Sequence, residues 1–307
     1  MKQRPIGVLY EHPEWFRPLF AELDRRGLPY EPIHAAEHIF DPAAREVRHS
    51  LLVNRMSPSA WTRGHQRAVF HTLHYLTYLE EIGALVLNGR AAYEIELSKA
   101  RQVGLFAELG VPHPRTRVVN DPELIPAAAT ELEFPVLVKP NIGGSGAGIR
   151  AFGNLDALAA VAPELDLGLD GAALVQEQLP ADGDAIVRIE ILNGEFLYAI
   201  RIQLMPGSFN LCPADYCDLA GPAKPIEAYE PPPEVVEDAK RIVAAAAMDV
   251  AGVEYLVDAR TGRPTFYDVN ALSNFVADAP NVIGFDPFVQ LVDLIVDRAG
   301  LAEPLAV

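Results

Sequence analysis

The stretch FPVLVKPNIGGSGAGIR, residues 134–150, joins a run of strand-forming residues to a cluster of glycines and a second short strand. Its lysine, Lys139, precedes the glycines Gly143, Gly144, Gly146 and Gly148. A phosphate-loop NTPase needs GxxxxGK[ST], with the lysine after the glycines, and a dinucleotide fold needs GxGxxG at the start of a helix. Neither spacing occurs here. The pattern predicts a β-hairpin whose glycine-rich tip can lay its N–H groups over an anion, with a flexible loop that binds nothing as the alternative.

Composition and charge limit the class of protein. The chain has 307 residues, of which 50% are hydrophobic, and this is enough for two or three domains with buried cores. The formal net charge of −17 argues against nucleic acid as the main partner, because phosphate contacts need clustered lysine and arginine. No apolar stretch reaches membrane-spanning length and no secretory signal is evident, so we expect no membrane partner. The two cysteines, Cys212 and Cys217, are expected to be reduced thiols, and the predicted location is cytoplasmic.

Lysine is scarce in this chain, which makes Lys139 informative. There are 20 arginines but only five lysines, namely Lys2, Lys99, Lys139, Lys224 and Lys240. Lys139 lies within the apolar run VLVKP, and a buried ammonium without a partner is unfavourable. A bound phosphate would supply that partner. The alternative is a lysine that extends from the strand end into solvent.

The pattern of apolar residues predicts the order of the elements. Residues 4–33 are predicted to form a strand, a helix and a strand, which is the βαβ opening of an α/β domain, and another buried strand follows near 50–57. Strands and hairpins dominate from about residue 115 onward, with turns at Asn193-Gly194 and Thr261-Gly262. The segment 206–233 is rich in Pro and Gly and is predicted to be an ordered loop or lid.

The hairpin at Thr261-Gly262 carries candidate metal ligands. Glu254 and Asp268 lie at equal distances from residue 261, so we expect them to face each other across the strands. Asn270 follows Asp268 by two residues and shares its face. Two carboxylates and an amide oxygen on one face would repel unless a cation lies between them, and such ligands suit Mg²⁺ that also holds phosphates. The alternative is a pair of surface acids at strand ends.

Together these motifs resemble the ATP-grasp superfamily, and in particular its RimK-like carboxylate–amine ligases, from about residue 90 to 295. The resemblance implies an α/β (α+β) fold class, in which an N-terminal open α/β domain is followed by two α+β lobes that grip ATP. The implied domains are an N-terminal α/β domain (1–93), a central lobe with the glycine-rich hairpin (94–175) and a C-terminal lobe with the metal site (176–307).

The resemblance also implies roles for individual residues. Lys99 in ELSK and Lys139 in VLVKP match lysines that contact the phosphates of ATP, and GGSGAGI matches the hairpin that closes over them. LVQEQL resembles the hinge where backbone groups of Glu177 and Leu179 would bind adenine. Arg188 and Arg201 match arginines that meet the transferred phosphate or the acyl phosphate. The implied nucleotide-binding residues are Lys99, Lys139, Gly143, Gly144, Ser145, Gly146, Gln176, Glu177, Gln178, Leu179 and Asp184, and the implied magnesium ligands are Glu254, Asp268 and Asn270, with Mn²⁺ as an alternative metal.

Three positions depart from the family pattern. The family usually has Asp at the position of Glu254 and Glu at the position of Asp268, so the two acids exchange lengths across the hairpin while the total charge is kept. The family often has Asp at the position of Ile186, and here Asp184 lies two residues earlier. The match therefore does not fix the acid that binds ribose.

The implied activity is an ATP-dependent ligase that joins a carboxylate to an amine through an acyl phosphate and releases ADP and phosphate. Its substrates would be small molecules or peptides, and dimers are frequent in the family. Two other hypotheses stay open: a phosphotransferase that stops at phosphate transfer to a hydroxyl, and a non-catalytic ATP-binding module that regulates a partner.

The N-terminal region is expected to contribute to the acceptor pocket through YEHPEWF and VNRMSPSAW. Within the second of these, Asn54 and Arg55 could contact a carboxylate or form a structural ion pair. Ser273 and Asn274, which follow the metal strand, are expected near the substrate.

Overall fold

The computed structural model describes residues 4–204 and 226–301, and three β-sheets organise this part of the chain. Most of the predicted loop or lid at 206–233, together with Cys212 and Cys217, therefore lies outside the described residues. Among the helices described, none has the length and apolar character that crossing a membrane requires.

The first sheet is parallel and consists of β1 (Ile6–Tyr10), β2 (Tyr30–His34), β3 (Leu52–Arg55) and β4 (Val86–Leu87), in the spatial order β2-β1-β3-β4. Helix α1 (Arg17–Arg25) joins β1 to β2, whereas a short 3₁₀ helix (Pro58–Arg63) and α2 (Gln66–Glu81) join β3 to β4. Strand β1 is a buried apolar run because both faces of the parallel sheet are covered there. The predicted βαβ opening is confirmed, and the connections after β1 and β3 leave in opposite directions. Ligands of open α/β sheets bind at such a switch point.

The second sheet is antiparallel and consists of β5 (Thr116–Val119), β6 (Val136–Pro140), β7 (Arg150–Phe152) and β8 (Ala173–Glu177), in the order β5-β8-β6-β7. Helices α3 (Arg90–Glu96) and α4 (Lys99–Leu109) precede it, and α5 (Ile125–Ala129) and α6 (Leu155–Ala159) share its core. Gly110 ends α4 in the left-handed region, with φ +68°. Strands β6 and β7 form the predicted hairpin, with residues 141–149 as its connecting loop.

The third sheet is antiparallel and consists of β9 (Ala185–Leu192), β10 (Glu195–Gln203), β11 (Ile226–Ala228), β12 (Val250–Asp258) and β13 (Arg263–Asn270), in the order β11-β10-β9-β12-β13. Helix α7 (Pro233–Ala245) packs on one face, and α8 (Ala279–Val282) and α9 (Pro287–Ala299) pack on the side that faces the first sheet. Asn193 and Gly194 turn the first hairpin with φ of +51° and +78°, as the Asn-Gly pair predicts.

Helices α3 and α4 pack against the third sheet, although the predicted bounds divide them between the N-terminal domain and the central lobe. Ile95 of α3 and Phe106 of α4 belong to the core between the third sheet and α7, although both helices precede the second sheet in sequence. Strand β8 continues to Glu177, two residues past the predicted boundary at 175. The order of the three predicted domains matches the order of the sheets, and their bounds stay a prediction.

Asn88 connects the first sheet to the third. Its side-chain amide donates to the carbonyls of Val250 and Ala271, at 2.7 and 2.6 Å, and its side-chain oxygen accepts from the N–H groups of Asp249 and Val250, at 2.7 and 3.1 Å. Asn88 is buried and has φ +52°, a conformation that asparagine tolerates better than most residues. One side chain therefore satisfies four backbone groups where β4 meets β12 and the end of β13.

We expect Asn88→Ala to lower the free energy of unfolding by about 2–4 kcal/mol, because several buried backbone groups lose their partners. Urea unfolding measures the change. Asn193→Ala is the matched control, since Asn193 also has positive φ but is exposed, and its cost should be about 1 kcal/mol. Equal effects of the two substitutions would contradict the role given to the Asn88 side chain.

Candidate active site

A cavity of about 850 Å³ lies where the three sheets meet. The predicted site residues that line it are Lys99, Lys139, Gly143, Gly144, Ser145, Gly146, Gln176, Glu177, Gln178, Leu179, Asp184, Arg188, Glu254, Asp268 and Asn270. Arg201 does not line it. The structure thus brings together residues that are up to 171 positions apart, from Lys99 to Asn270.

Lys139 lies at the wall of this cavity and is only 5% exposed. Within residues 4–204 and 226–301, no carboxylate or carbonyl accepts a hydrogen bond from its ammonium. Burial, reinforced by the charge of Lys99, lowers the pKa of Lys139 from 10.5 to about 7, although Asp268 and Glu254 oppose this. A buried ammonium with no anion beside it is the environment that a phosphate would complete.

The glycine hairpin covers the same cavity. Gly146 has φ +70° and Ser145 has φ +51°, so the loop turns through the left-handed region next to the cavity. Gly144 packs against the loop after β3, and a Cβ added there would lie 2.5 Å from the Cβ of Ser59. A side chain at Gly144 would therefore push the hairpin away from the N-terminal domain.

Lysine and arginine side chains form ion pairs with the acids of the third sheet next to the cavity. Lys99 donates to Asp268 at 2.5 Å, and Arg188 donates to Glu254 at 2.8 Å and to Glu190 at 2.6 Å. Burial lowers the pKa of Lys99, but the charges of Asp268, Glu254 and Glu96 together outweigh burial, and the net shift is upward. Burial raises the pKa of Glu254, and the nearby charge of Asp268 raises it further, although Arg188 opposes both effects.

The predicted metal ligands occupy one end of this array. Glu254 pairs directly with Asp268 across β12 and β13, as predicted, and the Asn270 amide lies 3.4 Å from Asp268 Oδ2. No group of three His, Cys, Asp or Glu side chains in the described part of the chain could hold a metal by itself. Two facing carboxylates and an amide oxygen fit Mg²⁺ whose other ligands are phosphate oxygens and water. The ligand assignment stays a prediction.

Arg188 and Arg201 lie on opposite faces of the third sheet. Arg188 pairs with Ile200 and with Glu254, so its side chain shares the face of the cavity. Arg201 pairs with Val187, and its guanidinium carbon lies 6.0 Å from the centre of the Tyr229 ring. Arg201 therefore does not join Arg188 at the cavity, because a β-bulge between Phe196 and Tyr198 shifts the register and turns Arg201 away, and its catalytic role stays a prediction.

The predicted adenine hinge follows β8. The Glu177 N–H donates to the Arg115 carbonyl at 3.0 Å, so adenine would contact the Glu177 carbonyl rather than its N–H group. Asp184 lies at the cavity with an exposed side chain, whereas Ile186, at the position where the family often has Asp, is buried. Asp184 is thus the acidic residue near that position, and its contact with a ribose stays a prediction.

Glu96 is a cavity residue that sequence reasoning missed. It accepts a hydrogen bond from the Ala271 N–H and is 9% exposed. Burial raises the pKa of the Glu96 carboxyl to about 7. The available signal was an acid three residues before Lys99 on the buried stripe of α3, which also contains Ala92 and Tyr93.

The N-terminal domain closes the remaining side of the cavity. Trp15 follows β1, and Ser57, Pro58 and Ser59 follow β3, so the wall is formed at the switch point of the first sheet. Asn274 lines the cavity, whereas Ser273 is fully buried and its carbonyl accepts a hydrogen bond from Arg55. Arg55 is 1% exposed and does not line the cavity, so it does not serve as the contact for a substrate carboxylate in this conformation.

Solved structures of known proteins share this architecture. The chain superposes on the ATP-grasp ligase PsnB complexed with minimal precursor with a TM-score of 0.70 and 19% identity, covering 96% of this chain and 100% of that one. A RimK domain ATP-grasp protein from Sphaerobacter thermophilus gives a TM-score of 0.64 and 21% identity, covering 96% of each chain. The chain has the ATP-grasp fold. A D-alanine–D-alanine ligase from Bacillus anthracis complexed with ATP also matches, with a TM-score of 0.69 and 16% identity over 97% of both chains.

Sequence comparison adds further relatives. The chain is 29% identical over 175 residues to a D-alanine–D-alanine ligase of Lacticaseibacillus casei, an alignment that covers 54% of this chain and 43% of that protein. It is 27% identical over 203 residues to a probable alpha-L-glutamate ligase of Aeromonas salmonicida, covering 66% of this chain and 65% of that protein. The chain thus spans roughly half to two thirds of the curated relatives it matches. No family model matches it.

The pKa of Lys139 can be measured directly because the chain has so few lysines. After reductive methylation with ¹³C-formaldehyde, we expect one dimethyl-lysine NMR signal to titrate near 7 while the others titrate above about 9. Lys139→Arg assigns that signal, since it should remove the low titration and leave the rest unchanged. If no lysine signal titrates below about 9, the environment assigned to Lys139 is wrong.

Proposed function

We propose that the chain is an ADP-forming carboxylate–amine ligase, which uses ATP and Mg²⁺ to make an amide or peptide bond through an acyl phosphate. The observation that carries this proposal is the buried Lys139 ammonium. It has no acceptor among the described residues and lies under a glycine hairpin, in the same cavity as two facing carboxylates. The relatives named as D-alanine–D-alanine and probable alpha-L-glutamate ligases support the reaction class. The structures of PsnB with Mg and ADP, and of the Bacillus anthracis ligase with ATP, support the nucleotide and the metal.

The reaction has two steps. A carboxylate oxygen of the first substrate attacks the γ-phosphorus of ATP, and the bond from that phosphorus to the bridging oxygen breaks, so ADP leaves with the electron pair. The neutral amine then attacks the acyl carbon, the carbon–oxygen bond breaks, and phosphate leaves while the nitrogen loses a proton to solvent. Positioning and charge neutralisation dominate such phosphoryl transfer.

The chain's own residues supply most of that neutralisation. Lys139 and Lys99 would contact the triphosphate, and the N–H groups of Gly143 to Gly146 would cover it. Arg188 would steady the charge on the transferred group, because it is the arginine on the cavity face of the third sheet. When bound, Mg²⁺ would withdraw charge from the phosphate oxygens, and Glu254, Asp268 and Asn270 would hold it.

The acceptor side of the cavity is the wall from the N-terminal domain. Trp15 and Ser57 to Ser59 line it opposite the strands that carry the proposed metal ligands. Small-molecule and peptide substrates both fit the named relatives, since PsnB was solved with a precursor peptide. The cytoplasmic location, the reduced thiols and the dimer stay predictions.

The reaction class is tested by trapping the acyl phosphate. We would incubate the protein with ATP, Mg²⁺, hydroxylamine and pooled amino acids and short peptides, and then measure ADP and hydroxamates by mass spectrometry. We expect a hydroxamate that Lys139→Ala abolishes, because the triphosphate loses its buried cation. ADP formation without any hydroxamate would indicate a kinase. Neither product, together with a melting temperature raised by ATP, would indicate a binding module.

The two arginines give a sharper test of the catalytic assignment. We expect Arg188→Lys to slow hydroxamate formation about 100-fold, because a lysine cannot reproduce the fork of N–H donors at the transferred group. Arg201→Lys is the matched variant on the opposite face of the same sheet, and its rate should stay within about threefold of the unmodified protein. A comparable loss in both variants would show that Arg201 reaches the reacting groups after all.

Nucleotide binding should raise the pKa of Lys139. We expect ADP to move the low NMR titration from about 7 toward 10, because the phosphates favour the charged ammonium. Above pH 7 the protein would therefore take up a proton on binding ADP, and the affinity for ADP would fall as pH rises. Titration of the methylated protein with and without saturating ADP measures this change. An unchanged pKa would mean that the phosphates lie elsewhere.

A further inference from the structure

Strand β13 carries two of the proposed metal ligands, yet it is an edge strand. It pairs with β12 on one side, and no strand pairs with its other side in the described part of the chain. Several backbone groups on that open side are nevertheless hydrogen-bonded to side chains and backbone from residues 88–112. The Phe266 N–H, for example, donates to the Pro112 carbonyl at 2.8 Å.

Gln102 acts here as a substitute for a neighbouring strand. Its side-chain amide donates to the Val269 carbonyl at 2.9 Å, and its side-chain oxygen accepts from the Val269 N–H at 3.3 Å. The same amide also donates to the Ile95 carbonyl at 3.1 Å, which ties α4 to the end of α3. Gln102 is 2% exposed, and Val269 lies between Asp268 and Asn270.

Glu96 and Asn88 continue this contact along the strand. The Glu96 carboxylate accepts from the Ala271 N–H, and the Asn88 amide donates to the Ala271 carbonyl at 2.6 Å. The residues on either side of Asn270 thus have both their N–H and C=O groups held by side chains. Lys99 begins α4, the helix that contains Gln102, and donates to Asp268. The same helix therefore holds the backbone of β13 and contacts a proposed metal ligand.

We propose that Gln102, assisted by Glu96, is a positioning residue for the metal site. By holding Val269 and Ala271, these side chains fix the direction in which Asp268 and Asn270 project from a strand that has no neighbouring strand on that side among the described residues. The inference rests on the metal site proposed above. It goes beyond that site because neither residue is among the proposed metal ligands, and Gln102 does not line the cavity.

The experiment compares metal affinity with nucleotide affinity in the full chain. Gln102→Met keeps the length of the side chain and removes both hydrogen bonds to Val269. We expect it to weaken Mn²⁺ binding in the presence of ADP by about 10- to 100-fold, as measured by EPR of free Mn²⁺, with ADP affinity in EDTA unchanged. Leu105→Ala, in the same helix and the same core, is the control for simple loss of stability.

Glu96 supplies the rescue arm of the test. Glu96→Leu should weaken Mn²⁺ binding in the same way, whereas Glu96→Gln should stay within about threefold, since an amide oxygen can still accept from the Ala271 N–H. Equal losses of Mn²⁺ affinity in Gln102→Met and Leu105→Ala, or no loss in Gln102→Met, would overturn the inference alone. If Asp268→Asn and Glu254→Gln leave Mn²⁺ affinity unchanged, then the proposed metal site is wrong and the inference falls with it.

Discussion

A cation buried without an anion is the constraint on which the rest of this cavity depends. Lys139 is 5% exposed and its ammonium has no acceptor among the described residues, so its charged form is unfavourable in the free protein. Carboxylates are nearby, but Asp268 is bonded to Lys99 and Glu254 to Arg188. The acids therefore balance other cations and leave Lys139 uncompensated. A ligand that brings several negative charges is what this arrangement lacks.

The three sheets make this arrangement possible because each contributes what the others lack. The second sheet supplies Lys139 and the glycine hairpin, and the third supplies the acids and Arg188 on one face. The first sheet supplies a wall that touches the hairpin at Ser59. Asn88 and Gln102 then hold the third sheet to the segment that precedes the second. The charged groups of the third sheet are thus kept in place by hydrogen bonds from side chains to backbone groups next to the charged residues.

Much of this could be predicted from local patterns, whereas strand register and contacts between distant segments could not. The pair Asn193-Gly194 predicts the turn between β9 and β10, and VLVKP followed by glycines predicts the hairpin of β6 and β7. Both patterns are readable because each lies within a few residues of sequence. Which residues pair across two strands is harder to predict, because the sequence pattern does not indicate a β-bulge. Extending the register from the pair Leu192 and Glu195 would put Arg201 opposite Ile186, on the face of Arg188; the bulge moves it opposite Val187. Glu96 and Gln102 were missed because their partners, Ala271 and Val269, are backbone groups 167 or more positions away.

The second hairpin shows that a bulge can also create a site. From the pair Asp258 and Arg263, a regular ladder would bring Glu254 opposite Tyr267 and leave Asp268 on the other face. The bulge between Glu254 and Tyr255 inserts one residue and turns Asp268 toward Glu254. Two like charges then face each other at the end of a sheet, at the cost of a broken ladder. The broken ladder is tolerable because β13 is an edge strand whose outer backbone groups are held by side chains, so the proposed metal site and the bonds that support it depend on the same irregularity.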